Sequence, residues 1–555
     1  MMAVRNPWRG LFADERPLSR EEEVRHAAQA ELARERRRLR VEIEKTEPVR
    51  LTMVDYSRGV GILLPIFSLP SPHGIGTFGA AAFQFIDFLA EAGVRYWQIL
   101  PLNPTGYGES PYASHSSWAG NPFFIDLDLL VEAGWLAPED LIPLDYAVEM
   151  EERVNGHDQV AYRAVKQYRE KLLKKAFRRA GDENAVALRA FFADHDYWLH
   201  DYALYRVIKE EQDDAVWTAW PEDLKRRDPE ALAAFAASHE RELAYVYWEQ
   251  FLFFRQWEAL KARANEKGIL IIGDIPIYVA LDSADCWANP EMFQLDDDFA
   301  PKAEAGVPPD AFSEDGQLWG NPVYDWDALK ATGYSFWISR LAHTMRLYNV
   351  IRLDHFIGFS RYWSVPAGES TAKNGTYIEG PGMDFFRAAE RALGPLPILV
   401  EDLGVMDEQV IRLRRQTGFP GMCPIEFAFG EADSEYLPHN HERRSSVYTS
   451  THDSDTLKGW WDEVATEEEK ERMISYFGLN VQEGMLWGIL RGVCGSVAEL
   501  CIFSMQDLLM LGNEARINRP GTVGGNWSWR LERSEERHAL AKRIRTMAMR
   551  YGRIS

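Results

Sequence analysis

Cysteine is scarce in this chain: four in 555 residues, Cys286, Cys423, Cys494 and Cys501, with no two at the close spacing of a metal-ligand pair. In a chain of this size they read as reduced thiols rather than a disulfide framework. Positive charge is also short. Lys and Arg number 62 against 85 Asp and Glu, a formal charge of −23, which excludes a partner recognised through a phosphate backbone. No apolar run approaches the ~18 residues of a membrane span, and the N-terminus has no apolar signal-peptide core. No membrane association is expected, and the expected compartment is the cytoplasm. A glycine-rich phosphate loop, an internal repeat and a low-complexity linker are all missing. What is present is an ordinary globular balance, 46% apolar and 26% charged, with an excess of aromatics: 19 Trp and 22 Tyr. That excess suits flat, neutral, hydroxyl-rich ligands, whose C–H faces stack on rings.

The length corresponds to three or four domains at roughly 150 residues each, but barrels with insertions exceed that prior. Residues 1–57 read as an N-terminal helical extension. Ser19 and Glu22 make a capping-box signature. The charged run to Lys45 then reads as one solvated helix, its Arg34, Arg36, Arg37, Arg38 and Arg40 interleaved with Glu31, Glu35, Glu42 and Glu44. From Arg58 the pattern becomes regular: a short apolar strand from Gly59 to Leu64, an amphipathic helix from Phe83 to Ala92, and a strand from Val94 to Leu100, together a βαβ unit. A loop dense in Gly, Ser, Tyr and Pro follows, over 103–121. Residues 126–267 read mostly as helix, with one long helix from Glu230 to Lys267. Its stripe Tyr245, Trp248, Leu252, Trp257 has helical spacing and reads as core. Residues 276–326 are loop-rich, and a loop of that length inside a compact protein is usually functional. A helix from Tyr334 to Leu347 leads into the strand Val350–Leu353.

Four expected strands run out into acid: Asp274, Asp354, Glu401 and Asp453. Helical segments separate them, the habit of a parallel sheet. In a (β/α)8 barrel every strand C-terminus meets on one face, so carboxylates distant in sequence converge on one pocket. On the strand at 350–353 alternate side chains share a face, so Arg352 and Asp354 point the same way, and the cation holds the carboxylate ionised. An ionised carboxylate at a strand exit is a nucleophile candidate; a buried structural ion pair has the same local pattern. Convergent carboxylates without His or Cys clusters leave two chemistries open. One is hard-metal binding; the other is glycoside chemistry, with one ionised and one protonated carboxyl. Glu401 follows the apolar run Pro397-Ile-Leu-Val400, whose burial would keep it protonated. Asp453 would stabilise a cationic transition state or bond ring hydroxyls.

The chain resembles the amylomaltases, that is, the 4-α-glucanotransferases or disproportionating enzymes, from about Arg58 to Arg530. The motifs that carry the resemblance are Ser68-Leu-Pro-Ser-Pro-His-Gly-Ile-Gly76, Arg95-Tyr-Trp-Gln-Ile-Leu-Pro-Leu102, Gly106-Tyr-Gly-Glu-Ser-Pro-Tyr112, Gly306-Val-Pro-Pro-Asp310, Trp319-Gly-Asn-Pro322, Arg352-Leu-Asp-His-Phe356, Val400-Glu-Asp-Leu-Gly404, Thr451-His-Asp-Ser-Asp-Thr456 and Pro520-Gly521 with Asn526-Trp527. The resemblance implies a (β/α)8 TIM barrel over 58–555 with mostly helical insertions, a helical one at about 126–267 and a loop-rich one at about 276–326. It implies a retaining transfer of α-1,4-glucan segments between maltooligosaccharides, with no cofactor and no metal. Asp354 falls at the family's nucleophile, Glu401 at its acid/base and Asp453 at its transition-state stabiliser. By the same matching Ser110, Tyr112, Asp274, Arg352, His355, Asp402, His452 and Asn526 would bind substrate. Gln317 and Trp319 would cover the acceptor side, and Tyr107 would guide the glucan. Ser454 departs from the family's usual Asn, and Pro424 lies inside the segment from Met422 to Phe429 that the family uses as a barrel strand. The alternatives are an α-glucan hydrolase, a catalytically inactive glucan-binding protein and, last, a carboxylate-bound metal hydrolase. Oligomeric state is not readable from the sequence.

Overall fold

The computed structural model describes residues 37–43, 45–141, 159–309, 313–404, 406–431, 433–532 and 537–554. The Ser19–Glu22 signature and Asp310 lie outside them; of the charged run, residues 37–43 and 45–46 are helical.

Among the described residues, twelve strands follow in order: β1 Gly59–Leu63, β2 Tyr96–Gln98, β3 Leu270–Ile275, β4 Ala303–Val307, β5 Gln317–Pro322, β6 Val350–Leu353, β7 Arg361–Pro366, β8 Thr376–Glu379, β9 Ile398–Val400, β10 Gly421–Pro424, β11 Ser445–Tyr448 and β12 Leu500–Ser504. Eight of these form one parallel sheet in the order β10-β11-β12-β1-β2-β3-β6-β9. It closes on itself where the Val400 N–H donates to the Pro420 carbonyl at 2.9 Å. The chain thus builds the expected (β/α)8 barrel. Its strands are short and almost wholly buried, as parallel strands covered on both faces must be. Polar side chains inside the sheet pair with one another: Tyr448 Oη donates to Gln98 Oε1 at 2.9 Å.

Helices pack outside. The α1 helix, Ala80–Ala92, ends on Gly93 in the left-handed region at φ 69°, which satisfies its last carbonyls. Between β2 and β3 run α2 (Tyr162–Ala180), α3 (Ala185–Glu211) and α4 (Glu240–Glu266). The single helix expected from Glu230 to Lys267 is in fact two, because His239 leaves helical geometry at φ −124°, ψ 29°. The stripe Tyr245, Trp248, Leu252, Trp257 is buried core. Beyond them, α5 (Ser335–Leu347) precedes β6, α6 (Gly382–Leu393) precedes β9 and α7 (Glu408–Thr417) follows it.

Two local expectations change. The segment 276–326, read as loop, contributes β4 and β5 to a second, antiparallel sheet in the order β5-β4-β7-β8. β5 pairs with β4 alone, and β4 joins the sheet through β7, on the far side of β6 in sequence, so no local signal marks the sheet. The strand expected from Met422 to Phe429 stops at Pro424, which has no N–H for a ladder, and continues as a 3-10 turn over Ile425–Phe427.

Candidate active site

The barrel brings side chains from four strand ends to one rim. Asp274 and Arg352 are register partners on β3 and β6. Arg352 Nη1 donates to Asp274 Oδ2 at 2.6 Å and to Asp354 Oδ1 at 2.9 Å, so the one guanidinium bridges both carboxylates. Arg352 and Asp274 are buried, while the Asp354 side chain keeps 23% of its surface open. The guanidinium is thus shielded behind the two carboxylates while that of Asp354 faces the open rim.

Glu401 stands one residue beyond β9. Its Oε2 accepts from the His355 N–H and its Oε1 from the Leu403 N–H, each at 2.8 Å. His355 lies in the left-handed region at φ 48°, a conformation that costs a non-glycine residue and persists where surrounding contacts demand it. Here it turns the amide after Asp354 toward Glu401. The two carboxyls are therefore joined through a single backbone turn. Burial, then the nearby Asp354 charge, pushes the Glu401 carboxyl up to about 8, outweighing Arg352 and the amide donor.

Asp453 follows β11 and is treated in the opposite way. Burial would raise it, but His452 and the Asn518 amide outweigh burial and hold it well below the usual carboxylate range. His452 Nε2 lies 3.1 Å from Asp453 Oδ2, and Asn518 Nδ2 donates to Oδ1 at 2.6 Å. Tyr112 completes the cluster: its hydroxyl is 2.8 Å from both Asp274 Oδ2 and His452 Nε2. Its ring stacks on the His452 ring, centroids 5.3 Å apart and planes 9° apart. Burial pushes Asp274 up to about 6 despite Arg352. Among the described residues, Asp274 Oδ1, Arg352 Nε and His452 Nδ1 are buried without a partner.

Trp319, on β5 of the outer sheet, meets His355 edge to face at 5.0 Å, and its Nε1 donates to Gln317 Oε1 at 3.2 Å. The second sheet thus reaches over the strand-end cluster, which the loop reading could not have placed. Ser110 Oγ accepts from the Tyr112 N–H at 3.2 Å, and Tyr107 in the same loop is 78% exposed.

Two expected binding residues are not brought to the cluster. Asp402 follows Glu401 directly, and neighbours leaving a strand point to opposite faces. Its buried carboxylate faces outward, accepting from the Met422 N–H at 2.8 Å and lying 3.4 Å from Arg414 Nε. Asn526 is turned into its own loop, accepting from the Arg519 N–H and donating to the Thr522 carbonyl. Sequence reasoning missed Asn518, which carries the hydrogen bond to Asp453, and Trp527, whose ring lies 5.6 Å from Tyr112. Asn518 has no periodic or spacing signal; only its place just before the Pro520-Gly521 motif hinted at it.

The profile of the 4-alpha-glucanotransferase family matches residues 64–535. Among curated relatives, the 4-alpha-glucanotransferase of Clostridium butyricum is 44% identical over 490 residues, 88% of this chain and 99% of that one. That of Synechocystis is 46% identical over 502 residues, 89% of this chain and 97% of that one. Among solved structures, the amylomaltase of Streptococcus agalactiae in complex with acarbose superposes with a TM-score of 0.84 at 38% identity, covering 90% of this chain and 100% of that one.

Proposed function

We infer the reaction from one premise: the chain belongs to the 4-alpha-glucanotransferase family. It moves α-1,4-glucan segments between maltooligosaccharides. In our proposed assignment Asp354 attacks the anomeric carbon while Glu401 gives its proton to the leaving glycosidic oxygen. A covalent glycosyl-enzyme forms and the leaving glucan departs. The 4-hydroxyl of a second glucan then attacks, Glu401 takes its proton, and one α-1,4 bond replaces another. Asp453 stabilises the oxocarbenium-like transition state, with Tyr112, Asp274, Arg352, His355 and His452 around the donor sugar. Trp319 and Gln317 take the acceptor side, and exclusion of water there biases the intermediate toward transfer over hydrolysis.

The observation that carries this reading is the contrast between the two carboxyls joined through His355: Asp354 bridged by Arg352, Glu401 held protonated by burial. The four buried free thiols suit a cytoplasmic setting. Incubation with maltotriose is the test. Free glucose and a ladder of longer glucans at constant reducing-end count are expected; a rising count would make the chain a hydrolase instead. Asp354→Asn should lower turnover by roughly 10⁴-fold or more while leaving maltooligosaccharide binding nearly intact. Undiminished turnover in that variant would refute the nucleophile.

A further inference from the structure

We propose that residues 37–43 and 45–56, which lie outside the matched family span, form a strap that positions Glu401 by closing the barrel seam between β9 and β10. The inference rests on the reading of Glu401 as the acid/base. The seam is where the two ends of the sheet order meet, and it has little backbone pairing of its own. After the bond from Val400 to Pro420, the next rung is supplied by a side chain: the Met422 N–H donates to Asp402 Oδ1. Pro424 on β10 has no N–H to add. Asp402 therefore stands in for a ladder carbonyl, one residue after Glu401. Gly421 makes room for it, since a Cβ there would meet Asp402 Oδ2 at 2.3 Å.

A buried carboxylate in that role needs compensating charge, and the strap delivers part of it. Arg40 Nη2 lies 3.8 Å from Asp402 Oδ2, its Nη1 2.8 Å from Glu435 Oε2 and its Nε 3.3 Å from Glu442 Oε1. Arg414 joins from α7, 2.6 Å from Glu442 Oε1. Arg37 pairs with Asp433 at 2.6 Å. On the apolar face, Leu39 and buried Ile43 pack on Ile357, Met406, Val410 and Ile411. Ile357 lies just past the turn at Asp354 and His355, and Met406 just past the loop of Glu401, so one short helix presses on both. Further along, the Arg50 N–H donates to the Gln416 carbonyl and Glu47 accepts from Gln416 and Arg412, fastening the segment to α7. Tyr56 Oη donates to the Ile398 carbonyl at 3.1 Å, on β9 itself. A merely solvated helix would not converge on the strand, the loop and the following helix of one barrel unit.

The test is Arg40→Met in the full chain. The charged groups acting on Glu401 are Asp354, Arg352 and Asp402; those on Asp402 are Arg414, Arg40 and Glu442. With Arg40 gone its surroundings become more negative, so the alkaline limb of kcat should move to higher pH. Turnover should fall roughly tenfold with the KM for maltotriose changed much less, as for a misplaced catalytic group. Deuterium uptake at residues 401–404 should rise, and Arg40→Lys, which keeps the charge without the fork, should return the alkaline limb toward its native position. Unchanged uptake at 401–404 with an unmoved alkaline limb overturns the proposal, even if the variant melts earlier, because the strap would then be structural only. Should R40M fail to fold, Leu39→Ala trims one apolar contact of the same helix without touching charge, and unchanged uptake at 401–404 in that variant overturns the proposal. If the native chain makes no ladder from maltotriose, the functional reading fails, while the exchange at 401–404 still decides the strap.

Discussion

Two acids on one barrel rim, Glu401 after β9 and Asp453 after β11, are driven to opposite protonation states, and the difference lies in what surrounds each. Glu401 accepts two backbone N–H bonds, which favour its ionised form, yet burial and the Asp354 charge win and leave it protonated to about pH 8. Asp453 is partly open to solvent and has His452 and Asn518 to hold it ionised. Pairs of carboxyls tuned apart in this way divide into acid and base roles. The pH profile should report it. The protonated acid is present below about 8 and lost above, so kcat/KM on maltotriose should fall as pH rises through that value. Asn518→Ala removes a donor that holds Asp453 down, so the acid-side loss of activity should move to higher pH. An unmoved acidic limb in N518A would mean that Asn518 does not tune the site.

At the scale of elements, the site depends on where strands stop and what lies behind them. β6 and β3 put Arg352 opposite Asp274 because parallel register aligns them. β9 ends one residue before Glu401, and the same alternation that aims Glu401 inward sends Asp402 outward to the seam. Gly421→Ala should therefore injure the fold before it injures chemistry. Its new methyl must displace the Asp402 carboxylate, an overpacking expected to cost about 1–3 kcal/mol, read as a lower midpoint in chemical unfolding. A midpoint within error of the native one would show that the seam tolerates a side chain there.

For the whole molecule, the buried acids make a thermodynamic prediction. Burial is the leading cause that pushes Glu401 and Glu426 up to about 8 and Asp274, Asp285 and Asp507 to about 6. Each binds its proton more tightly folded than unfolded. Its stabilisation is complete below the unfolded carboxylate range and is lost as pH rises through the folded value. His343 and His441, pushed down by burial to about 3 and about 4, act at the other end: they add stability above their ordinary 6.5 that is lost as pH falls. Five carboxyls outweigh two histidines, so the melting temperature should decline as pH rises from about 5 to 8. A flat or rising curve over that interval would contradict the burial of these carboxyls.

The sequence alone determined the parallel alternation of strand and helix, the acids at the strand exits and the shared face of Arg352 and Asp354. These follow from local periodicity and from the geometry of a single strand, which need no partner. Only the tertiary structure decided the pairing of β4 with β7, the placing of Trp319 against His355, and the recruitment of Asn518 to Asp453. It also turned Asp402 from an expected sugar ligand into a rung of the seam. Each of those outcomes depends on which distant segment lies alongside. That is a matter of closing the barrel and compensating buried charge, for which no window of neighbouring residues carries a signal.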